Sequence, residues 1–88
     1  MTMTLDVPFW IKQRQAQVEE LGGGQWKISG PNLTDAVIGV RMGDNLFWQA
    51  YVRAAPDGSE LESTEYEFPT ARDALAAAFE LYRARFVN

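Results

Sequence analysis

Few residues in this 88-residue chain are equipped for chemistry. There is no Cys and no His, which removes thiolate nucleophiles, imidazole bases, disulfides and the usual zinc ligands. Ser29, Ser59 and Ser63 therefore have no histidine to activate them, and nothing around Lys12 or Lys27 points to a desolvated amine. The one carboxylate cluster runs Asp57-Gly58-Ser59-Glu60-Leu61-Glu62 and on to Glu65 and Glu67. On an extended strand Glu65 and Glu67 share a face about 7 Å apart, a spacing open to a carboxylate dyad or a weak Ca²⁺ site. The EF-hand spacing is missing, and an acidic strand edge that resists aggregation accounts for the same residues. No catalytic residue, metal or cofactor is expected, so the chemistry on offer is that of binding.

Eight Lys+Arg against twelve Asp+Glu give a net charge of −4, which opposes a strong electrostatic grip on nucleic acid or anionic membrane. The hydrophobic share of 47% supplies a core and excludes an acidic disordered tail. The length suits one small domain spanning residues 1–88. The start, Met1-Thr2-Met3-Thr4-Leu5-Asp6, lacks a basic region followed by an apolar run, and no stretch is long and apolar enough to span a membrane. A cytoplasmic location is the expectation.

The positioning elements follow from pattern. A helix is expected from Pro8 to Leu21, with Asp6 as N-cap, an apolar stripe of Phe9, Trp10, Ile11, Val18 and Leu21, and Gly22-Gly23-Gly24 as its C-cap. The glycines follow a helix and no Lys-Ser/Thr comes after them, which sets aside a phosphate cradle. Alternation then predicts strands over Gln25–Ser29, Ala36–Met42, Leu46–Ala54 and Leu61–Phe68. Gly43-Asp44-Asn45 and Pro56-Asp57-Gly58 supply turns between them. Thr70 caps a last helix, Ala71 to Arg85, with Leu75, Ala78, Phe79, Tyr82 and Phe86 on one face. The fold class is α+β: an N-terminal helix, a four-stranded antiparallel meander, and a C-terminal helix packed on one sheet face.

Period-two alternation sorts the sheet. Trp48, Ala50 and Val52, with Ile38, Val40 and Met42 and with Thr64, Tyr66 and Phe68, form the apolar face that the last helix should cover. The opposite face gathers Lys27, Arg41, Gln49, Tyr51, Arg53, Glu65 and Glu67, with Phe47 at one end. Lys27, Arg41, Phe47, Gln49, Tyr51 and Arg53 are the candidate binding residues. Cross-strand Arg–Glu pairs on a solvated face are one account of them. Cover by the first helix, or by a second copy of the chain as a homodimer, is another, and a partner protein a third.

Gly39-Val40-Arg41, then Trp48-Gln49-Ala50-Tyr51-Val52-Arg53, then Phe68-Pro69-Thr70-Ala71-Arg72-Asp73-Ala74-Leu75, resemble the DNA-binding domain of plant Apetala and ethylene-response transcription factors. There is a looser similarity to the arm-binding domains of tyrosine recombinases. The resemblance covers residues 39–86. It implies a three-stranded sheet on a helix, with the outer face turned to the DNA major groove. It further implies that Arg41 and Arg53 contact base or phosphate, and that Trp48, Ala50 and Val52 lie in the core. The chain departs from the family in its hairpin, Met42–Phe47, which has no Lys or Arg. From Gly39 to Asn88 five Arg face eight acidic residues, a balance of −3. Phosphate binding draws on positive charge, so a protein partner on the outer sheet face is the leading expectation, with nucleic acid as the alternative.

Overall fold

A Schellman turn ends the first described helix. The computed structural model describes residues 7–87, so the expected cap at Asp6 lies outside the described residues. Helix α1 spans only Phe9–Gln13. Gln15 adopts a left-handed φ of 57°. The Ala16 amide donates to the Ile11 carbonyl and the Gln15 amide to that of Lys12, each at 3.1 Å, the paired bonds that close a helix C-terminus. The expected helix to Leu21 is thus corrected: Gln17–Gly22 is strand β1. It pairs antiparallel with β2, Gln25–Ser29, placing Val18 opposite Ile28. Gly22, Gly23 and Gly24 all have positive φ and turn this hairpin instead of capping a helix.

Strands β3 (Ala36–Met42), β4 (Trp48–Arg53) and β5 (Glu60–Ser63) complete a five-stranded antiparallel sheet in chain order, one strand more than expected. The last strand is shorter than Leu61–Phe68. Val52 opposes Glu62 while Arg53 opposes Glu60, so Leu61 is the extra residue of a bulge. Past Ser63, the Thr64 hydroxyl accepts from the Ala50 amide at 3.0 Å and its own amide donates to Ala50 at 2.9 Å. The ladder stops there, and Phe68 returns to make an isolated bridge with Trp48.

Helix α2, Ala71–Phe86, starts where the Thr70 hydroxyl accepts from the Asp73 amide at 3.1 Å. It lies over β3 and β4. The core between them joins Ile28, Ile38, Val40, Ala50 and Val52 to Leu75, Ala78, Phe79 and Tyr82. Fully burying a side chain of this kind contributes roughly 1.5–3 kcal/mol. Ile11 enters the same core, and Trp10 stacks on Tyr82 at 6.0 Å between ring centroids. Both helices therefore occupy one side of the sheet. Among the described residues no helix lies over the other side, nor is any helix long and apolar enough to cross a membrane.

Candidate functional site

Register builds the open face in rows, because residues directly opposite share a face. Glu19, Lys27, Val37, Arg53 and Glu60 form one row across all five strands. Gln25, Gly39, Tyr51 and Ser63 form the next, and Arg41 pairs with Gln49 in the third. Five of the six sequence-derived candidates, Lys27, Arg41, Gln49, Tyr51 and Arg53, share the face that alternation assigns them, while Phe47 precedes β4 at the hairpin end, because the strand starts at Trp48 and not at Leu46.

Within this face the candidates differ in what they do. Tyr51 is only 4% exposed and its ring lies flat across Gly39. A Cβ at Gly39 would stand 2.5 Å from the Tyr51 hydroxyl oxygen and 2.7 Å from Cε1. The hydroxyl reaches a third strand, where it accepts from Gln25 Nε2 at 3.1 Å. The guanidinium carbons of Arg41 and Arg53 stand 4.7 and 5.1 Å from the ring centroid, both within cation–π range. Gln49 is buried and satisfied at both ends: Oε1 accepts from Arg41 Nε at 2.6 Å and Nε2 donates to the Thr64 carbonyl at 2.7 Å. Tyr51 and Gln49 are the bed of the face, Lys27, Arg41 and Arg53 are what it presents, and Phe47 is exposed at the hairpin end.

Glu60 holds the two arginines. Arg41 donates to it through both terminal nitrogens, and Arg53 Nη2 through one at 3.5 Å. Hydrogen bonding from Arg41 holds the Glu60 carboxyl below the usual range, and the same bond raises Arg41. Glu60 thus interrupts the positive charge between Arg41 and Arg53. Lys27 stands apart, 3.9 Å from Asp35.

Tyr66 corrects the sequence reading. It was expected on the helix side, but the strand has ended and its ring rests on Gly43 on the open side, where a Cβ would approach Cδ1 to 2.6 Å. Its hydroxyl accepts from Arg41 Nε at 3.2 Å. Glu65 and Glu67 lie in the same connection, not on a strand face as expected. Among the described residues no group of three or more carboxylates gathers to hold a metal ion. The contribution of Glu60 was also missed. The Pro56-Asp57-Gly58 turn carried the signal, since closing a hairpin there brings Glu60 opposite Arg53.

No protein-family model, no curated protein and no solved structure matches this chain.

Proposed function

We propose that the chain is a non-enzymatic binding module that engages a protein partner through the open face of its sheet. The carrying observation is the braced platform itself: Tyr51 flat on Gly39, flanked by Arg41 and Arg53, which Glu60 ties together. Ordering side chains before contact lowers the entropy cost of association. Aromatic and arginine side chains are the commonest energetic anchors of protein interfaces. The test is affinity capture with paired variants, Lys27→Glu on the open face and Arg83→Glu on the exposed side of α2. A partner retained by R83E and lost by K27E supports this reading. A partner lost by R83E alone contradicts it.

One observation favours a second reading, a diverged nucleic-acid binder. The β3–β4–β5 sheet on α2, with Arg41 and Arg53 outward, has the arrangement that the Apetala-type resemblance implies. Glu60 and the charge balance stand against it. Titration with random-sequence duplex DNA at low salt separates the two, because phosphate binding fades steeply as salt rises. Salt-sensitive shifts at Lys27, Arg41 and Arg53 would favour DNA, and their absence the protein partner.

A further inference from the structure

The β3–β4 hairpin end carries apolar surface that the fold does not use. Met42, Leu46, Phe47 and Tyr66 are 54%, 71%, 42% and 38% exposed. Met42 and Tyr66, with Gly43, Asp44 and Asn45, line an open groove of about 430 Å³. The groove is held in shape. Asn45 Nδ2 donates to the Tyr66 carbonyl at 3.3 Å, and Asn45 Oδ1 accepts from the Phe47 amide at 3.1 Å. Leu46 closes the turn at a left-handed φ of 67°, a position that glycine fills at lower cost than a leucine. With most of its side chain in solvent, packing within the chain does not repay that cost.

Charge around the groove selects an occupant. Asp44 lines it, and Glu65 and Glu67 flank Tyr66 in sequence. All three are exposed, and none has an ion-pair partner among the described residues. Arg41, which donates to the Tyr66 hydroxyl, is itself engaged by Glu60. A groove that offers Met42 and Tyr66 beside exposed carboxylates complements a segment that carries apolar and basic side chains together.

We infer that the hairpin end docks a basic, amphipathic peptide segment of a partner protein, with Leu46 and Tyr66 as apolar contacts and Asp44, Glu65 and Glu67 meeting its cations. The inference rests on the binding-module reading and gives the partner its chemistry.

The test is a chemical-shift titration of the labelled full chain with a synthetic helical peptide bearing Leu on one face and Lys on the other. The same peptide with Glu in place of Lys is the control. Saturable shifts are expected at Gly43–Phe47 and Tyr66 with the Lys peptide alone. Asp44→Lys should weaken binding about tenfold, as expected for reversing one charge of a complementary pair. Leu46→Gly should also weaken it about tenfold, while raising Tm by about 5 °C through relief of the left-handed leucine. These opposite effects separate a lost contact from a lost fold. Equal binding of the Glu peptide would overturn the inference, as would unchanged affinity in both variants. Shifts at the hairpin that depend on protein concentration without peptide would assign the groove to a second copy and overturn it too. None of these failures removes the open-face reading, whose test uses Lys27 and Arg83.

Discussion

Tyr51 lies across Gly39 so closely that the glycine has no room for a methyl group. This contact lets one aromatic ring bridge strands β2, β3 and β4, with its hydroxyl on Gln25. It also leaves the ring flat, so two arginines can stand against it. Gly39→Ala should cost about 1–3 kcal/mol, the usual range for overpacking a filled site. Gly43→Ala should cost less, because Tyr66 is partly exposed and its ring can shift toward solvent at the expense of one exposed hydrogen bond from Arg41. Denaturant melts of both variants check the order, and equal losses would show that Tyr51 yields as easily as Tyr66.

Burial of Tyr51 also changes what its removal can reveal. Tyr51→Ala should lose about 3–5 kcal/mol, as for large core aromatics, and is therefore a stability variant before it is a binding variant. Tyr51→Phe removes only the bond from Gln25 and should cost about 0.5–1.5 kcal/mol. Thermal unfolding of the pair measures the ring and the hydroxyl separately.

Acid should weaken the platform through Glu60. Its carboxyl is held below the usual range by Arg41, so its stabilising effect is present above the ordinary glutamate value of about 4.3 and is lost as pH falls through the lower folded value. Wild type should therefore lose more stability than Glu60→Gln as pH is lowered through this window. Urea midpoints along an acid series give the comparison. Parallel curves would mean that the ion pair contributes no net stability.

Alkali acts on the opposite side of the sheet. Burial raises the Tyr82 hydroxyl, with Asp35 adding to the shift, and that hydroxyl donates to the Thr34 carbonyl at 2.5 Å. A raised value means that stability is intact below the unfolded value of about 10 and declines as pH climbs above it. Tyr82→Phe should be less stable than wild type at neutral pH by about 0.5–1.5 kcal/mol and should have a flatter alkaline profile. The same pH dependence in both proteins would place the titration elsewhere.

The legible parts of the fold were those where apolar side chains recur at a regular period. Burial itself runs unbroken through much of β3 and β4, but alternate residues, Ala36, Ile38 and Val40 with Ala50 and Val52, enter the core under α2, and Leu75, Ala78, Phe79 and Tyr82 meet them at helical spacing, so side and partner follow directly from the sequence. Strand β1 is almost wholly exposed, with Val18 its one partly buried residue, and its Gln and Glu suit a helix as well as an edge strand. A left-handed Gln15 leaves no mark in the sequence, so the end of α1 was hidden. The face shared by Lys27, Arg41, Gln49, Tyr51 and Arg53 was legible because period two alone fixes it. The clamp was legible only in part, since the Pro56-Asp57-Gly58 turn brings Glu60 opposite Arg53 while nothing in the pattern marks the bulge at Leu61. Tyr66 was not legible, because it changes sides where Thr64 ends the ladder.

The central claim is that the open face of the sheet is the contact surface. Its most direct test is a hydrogen-exchange and side-chain-protection footprint of the full chain in complex with the protein that it captures. Protection is expected at Lys27, Arg41, Phe47 and Arg53, with the solvent side of α2 around Ala76, Glu80 and Arg83 unchanged. Protection of that helix surface with the sheet face still open would contradict the account.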